Sequence, residues 1–99
     1  MATTPTALYR GAAATSSTTL YTTSTTTTIV TNMVVANTAS SAATFTITLD
    51  GTAIISGASV AANSTAFFDL KQVLATGKVI AGYASATTVN FHISGVTLA

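Results

Sequence analysis

The chain of 99 residues has no cysteine, no tryptophan and no glutamate, and only one proline and one histidine. Without cysteine there is neither a disulfide framework nor a thiolate metal site, and one histidine alone does not make a zinc ligand set. Charged residues are 5% of the chain, where soluble domains usually carry about 25%. They are Arg10, Asp50, Asp69, Lys71 and Lys78. A net charge of +1 leaves no electrostatic footprint for nucleic acid. No apolar run approaches the ~20 residues of a membrane-spanning helix. The start, Met1 to Pro5, lacks the basic and apolar regions of a secretory signal. The expectation is a chain made in the cytoplasm, unprocessed, with no nucleic-acid or membrane partner.

Threonine and serine fill the space that charge leaves, about a third of the chain. β-Branched threonine suits a pleated surface better than a helix. A surface with so little charge gives a free monomer little protection against association. Such a surface makes sense on a protein docked in a larger assembly.

The clearest folding signal runs through the middle. Phe45, Ile47 and Leu49 alternate with Thr44, Thr46 and Thr48, the period-two pattern of a strand with one buried face. Asp50-Gly51 follows, the dipeptide suited to a tight hairpin turn, and Ile54-Ile55 return antiparallel. Before this hairpin, residues 1–7 read as a flexible N-terminal arm, and Leu8-Tyr9-Arg10 as a short strand ending at Gly11. Leu20-Tyr21-Thr22 echoes the Leu-Tyr pair, and the two short strands are candidates to pair with each other. Ser24 to Thr28 is either a loop or the entry to the next strand. From Ile29 the alternation sets Ile29, Thr31, Met33 and Val35 on one face and Val30, Asn32, Val34 and Ala36 on the other. Both faces are fairly apolar, as in a central strand.

After the hairpin, Ser56 to Ser59 reads as a bend and Ala61 to Ser64 as a turn. Thr65 to Leu70 is a strand on which Phe67 and Phe68 must face opposite ways. Asp69 can cap a short helical turn over Leu70 to Ala75, closed by Gly77. Lys78 to Ala84 and Val89 to Ile93 are the last strands, with Gly95 marking a bulge or bend. About eight short strands at regular spacing predict an all-β, single-domain antiparallel β-sandwich over residues 8–99, of jelly-roll or immunoglobulin-like type.

No catalytic constellation emerges. His92 has no carboxylate near it in sequence and reads as a surface or interface residue. Asp50 is the hairpin turn and Asp69 the helix cap, so they make a poor acid–base pair. Neither a nucleophile elbow, a phosphate loop nor a dinucleotide fingerprint is present. Asn63-Ser64-Thr65 matches a glycosylation sequon formally only. The Thr44, Thr46, Thr48 row resembles an ice-binding face but is one strand long. Catalytic, cofactor-binding and metal residues are therefore expected to be none. Leu8, Tyr9, Arg10, Tyr21, Tyr83 and His92 are the candidates for a subunit interface, because tyrosine and arginine favour buried anchors.

Several stretches together resemble small virion proteins of tailed bacteriophages. They are Leu8-Tyr9-Arg10-Gly11, Ile29-Val30-Thr31-Asn32 running into Val34-Val35-Ala36-Asn37, and Thr46-Ile47-Thr48-Leu49-Asp50-Gly51. Asp69-Leu70-Lys71-Gln72-Val73-Leu74 and His92-Ile93-Ser94-Gly95-Val96 extend the likeness. The resemblance is to capsid decoration proteins and small head or tail accessory subunits. It implies a non-enzymatic homotrimer on the virion surface that clamps neighbouring major capsid protein subunits. The alternatives are a tail, collar or fibre component, or a carbohydrate-binding adhesin module. The last would want exposed aromatic platforms on loops, which three tyrosines and no tryptophan poorly supply.

Overall fold

The computed structural model describes residues 3–23 and 26–98, and these form an all-β sandwich. Its strands are β1 (Thr3–Ala12), β2 (Thr18–Thr22), β3 (Thr27–Asn37), β4 (Ala43–Leu49), β5 (Thr52–Val60), β6 (Ser64–Leu74), β7 (Val79–Ala84) and β8 (Val89–Leu98). One sheet runs in the order β1-β8-β3-β6, the other β2-β7-β4-β5, and every pairing is antiparallel.

This order follows from a single fold-back. Asp50 and Gly51 both have positive φ, 54° and 78°, as a type I′ hairpin turn requires. About that turn β4 meets β5, β3 meets β6, β2 meets β7 and β1 meets β8. Rolling the resulting double ribbon inserts β8 between β1 and β3, and β7 between β2 and β4. The product is the eight-stranded jelly roll, with two Greek keys.

The inner faces close on Phe45, whose ring stands 5.7 Å from Phe68 at 68° and 5.9 Å from Phe91 at 59°. Edge-on aromatic pairs add roughly 0.5–1.5 kcal/mol beyond area burial. Val30, Met33, Val35, Ile47, Leu74, Ile80 and Ile93 fill the remaining core. Two buried polar residues tie the ends of the sandwich. Asn37 donates from Nδ2 to the Ser41 and Val60 carbonyls (2.8 and 3.3 Å), and its Oδ1 accepts from Ala39 N–H and the Thr88 hydroxyl (3.1 and 3.2 Å). At the other end the Thr23 hydroxyl donates to Ala75 O at 2.7 Å and accepts Lys78 N–H at 2.9 Å. Each satisfies several loop groups at once, which is how a buried polar side chain becomes stabilising.

Five sequence readings are corrected. The helical turn at Leu70–Ala75 is absent: β6 continues to Leu74, where Thr28, Ile29 and Val30 pair with Leu74, Val73 and Gln72. Its residues are good helix formers, but an open ladder on β3 outweighs a propensity of a few tenths of a kcal/mol per residue. Leu8–Arg10 and Leu20–Thr22 do not pair, because β1 and β2 belong to different sheets. The faces of β3 switch midway, since Thr31 is an extra residue against β8. Val30 is therefore buried before it, and Met33 and Val35 after it. Ser56 to Ser59 does not break the strand but lies within β5, which bulges at Ser56-Gly57 opposite Thr46, with Gly57 at φ 61°. β8 runs unbroken through Gly95, and the bulges lie on the strands flanking it.

Of the segment read as an arm, Thr3–Ala7 form the first half of β1, opposite Leu98–Ser94. Met1 and Ala2 lie outside the described residues, as do Ser24 and Thr25 in the threonine run, whose strand begins at Thr27.

Candidate interaction surface

Alternation along the strands gives each sheet an outer face. On the first sheet the registers line up Arg10, His92, Val34 and Phe67 as one row crossing all four strands. At about 4.8 Å per strand that row spans about 15 Å. On one side of it lies the row Ala7, Ser94, Asn32, Asp69, and beyond the bulges the row Pro5, Val96, Ile29, Val73. Phe67 is 75% exposed and Val73 67% exposed, the two most exposed large hydrophobics among the described residues. Lone exposed apolar side chains are ordinary, but here they sit within one charged and apolar patch.

Beside Arg10 the surface dips. β1 bulges between Ala7 and Tyr9, β3 between Val30 and Asn32, and β8 passes between them with Ser94-Gly95. The result is an open hollow of about 350 Å³ lined by Pro5, Thr6, Ala7, Arg10, Thr31, Ser94, Gly95 and Val96. The Thr31 hydroxyl bridges it, donating to the Ser94 carbonyl at 3.2 Å.

The second sheet has a different exterior. Its four strands contain no charged residue at all. Thr19, Ala81, Thr48 and Ala53 make one row, and Tyr83 faces Thr46 in the next. The Thr44, Thr46, Thr48 row is not the flat exposed ladder of an ice-binding face. Thr46 is 9% exposed, and its hydroxyl accepts Gly57 N–H at 3.1 Å across the β5 bulge.

The six candidate interface residues therefore separate. Arg10 and His92 are neighbours on the first sheet's outer face. Tyr83, 39% exposed, is on the opposite exterior. Leu8 is buried in the core, and Tyr9 and Tyr21 pack against it at the sandwich edge. Tyr9 also donates its hydroxyl to Ala12 O at 3.1 Å. The two Leu-Tyr pairs share one device: each straddles a bulge, so both side chains face inward from an edge strand. Leu8 then lies over Gly95 and Leu20 over Gly82, both glycines lacking room for a Cβ. Sequence reading did not pick out Val34 and Phe67 as surface residues of one row, because only the register puts them beside Arg10 and His92.

Asp50 and Lys78 meet at one end of the sandwich, 3.7 Å apart and largely exposed, a pair worth little in stability. Among the described residues no three His, Cys, Asp or Glu side chains gather to hold a metal ion. No protein-family model, curated protein or solved structure matches the chain.

Proposed function

We propose that this chain is a non-enzymatic structural subunit of a bacteriophage virion, a capsid decoration protein. It binds the outer shell and stabilises contacts between major capsid protein subunits. The observation that carries this reading is the inequality of the two exteriors. One face offers Arg10, His92, Val34 and Phe67 in a single row, a mix of apolar, aromatic and arginine side chains favoured at protein interfaces. The sparse charge elsewhere gives the same message, and so does the resemblance carried by stretches such as Leu8-Tyr9-Arg10-Gly11. The jelly roll is common in viral shells and lectins alike, so the fold itself assigns no function.

Mechanically, a rigid sandwich laid across neighbouring shell subunits adds contact area where internal genome pressure pulls them apart. Because it binds only the expanded lattice, mass action shifts the shell toward the assembled state. The test is co-sedimentation of the full chain with unexpanded and expanded capsids of the phage whose neighbouring reading frames accompany it. Binding to expanded shells alone is expected. Binding to tails or collars instead would move the protein to that part of the virion. Glycan binding without capsid binding would make it an adhesin module, although its exposed aromatics, Phe67 and Tyr83, lie on strands and not on loops.

A further inference from the structure

The first sheet ends in two free edges, β1 and β6. Natural edges are usually blunted by proline, by charged side chains, by bulges or by a covering element. β1 carries Pro5, whereas β6 runs 11 residues with no proline. Among the described residues, no strand but β3 hydrogen-bonds the backbone of β6 between Thr65 and Leu74. Thr65, Phe67, Asp69, Lys71 and Val73 are exposed and alternate with half-buried residues as far as Leu70; Gln72 is exposed too, and against β3 the strand bulges at Leu70-Lys71, two residues opposite Thr31. Asp69 and Lys71 form no ion pair among the described residues.

Exposed residues are arranged symmetrically about Leu70. Leu70 has an acid on one side and a base on the other, and beyond them the two most exposed large hydrophobics among the described residues. In an antiparallel pair, residues directly opposite share a face, so a strand meeting its own copy must do so about one residue. Centring on Leu70 sets Asp69 against Lys71 of the second copy, and Phe67 against Val73 of the second copy, each twice by symmetry. Centring on Asp69 or Lys71 opposes like charges, and centring on Phe68 or Gln72 opposes a charge to an apolar side chain. Only one register matches charge with charge and apolar with apolar.

We propose that β6 pairs antiparallel with β6 of a second copy of this chain about a twofold axis through Leu70. The two four-stranded sheets join into one of eight strands, and the two outer faces become continuous. Such an interface is isologous and closes as a dimer, whereas the phage resemblance implies a trimer. The pairing rests on the pattern of β6 and not on the capsid reading, so a dimer that ignores capsids would remove that reading alone.

The experiment is the solution mass of the full chain, alone and with Asp69→Lys, Lys71→Asp and the double exchange. The wild type is expected to be a dimer. Each single reversal puts like charges opposite one another on both sides of the axis and should raise the dimer dissociation constant about 10- to 100-fold. The double exchange restores opposite charges and should restore the dimer, which also shows that the reversals leave the fold intact. A wild-type monomer or trimer would overturn the pairing. So would a dimer indifferent to either reversal, or a double exchange that stays monomeric.

Discussion

The two sheets are built alike on the inside and unlike on the outside. In each, an edge strand bulges at a Leu-Tyr pair and lays its leucine over a glycine of the next strand, Leu8 over Gly95 and Leu20 over Gly82. Outside, the strands of the first sheet hold Arg10, Asp69, Lys71 and His92, and those of the second hold no charge. The interior plan recurs because packing dictates it. The exteriors are free of that demand, so their divergence is where function is to be sought.

The largest effects should come from breaking the shared interior device. A Cβ at Gly95 would collide with the Ile29 carbonyl oxygen and lie 3.0 Å from Leu8 Cδ1. At Gly82 it would lie 2.9 Å from the Thr46 carbonyl oxygen and 2.6 Å from Ile47 Cδ1. Gly95→Ala should cost about 3 kcal/mol and Gly82→Ala about 2 kcal/mol. The Ile47 methyl can swing away, while the Ile29 backbone cannot, which sets the order. Thermal unfolding should show midpoints lowered by about 5 °C per kcal/mol; negligible losses would undo the parallel between the sheets, and equal losses the order of the two.

Next come the exteriors. Phe67→Ser should weaken capsid binding about tenfold, about 1.4 kcal/mol, while Tyr83→Ser on the opposite face leaves it unchanged. Both proteins should keep their melting temperature, since neither side chain is in the core. If Tyr83→Ser were the damaging change, the contact face would be the second sheet.

The smallest pair sharpens the contrast with one threonine from each sheet. Thr28 is fully buried on the first, and its hydroxyl has no hydrogen-bond partner among the described residues, so Thr28→Val should stabilise by about 1 kcal/mol. Thr46 on the second accepts Gly57 N–H, so Thr46→Val should destabilise by about 1 kcal/mol. Denaturant midpoints for the two variants should move in opposite directions.

Much of this fold was readable from side-chain alternation. The hairpin at Asp50-Gly51 and the opposed Phe67 and Phe68 follow from period two and turn chemistry, and each is where the alternation put it. The bulges were not readable. Thr31 looks like any other strand residue, and it becomes an extra residue only against Ser94 and Gly95, Ser94 being 63 positions away. Leu70 to Ala75 reads as helical for the same reason: the partner of β6, β3, is remote in sequence and the local preference is helical. The row of Arg10, His92, Val34 and Phe67 depends on three registers at once, so no window along the chain contains it.

The fold-back at Asp50-Gly51 has one more effect. Every ladder joins a strand of β1–β4 to a strand of β5–β8, and among the described residues neither half contains a single pairing of its own. Half a chain emerging from the ribosome therefore has no sheet to form, and structure must wait for the second half to be translated. Cut at the turn, the molecule would become two peptides, each holding only strands whose native partners lie in the other.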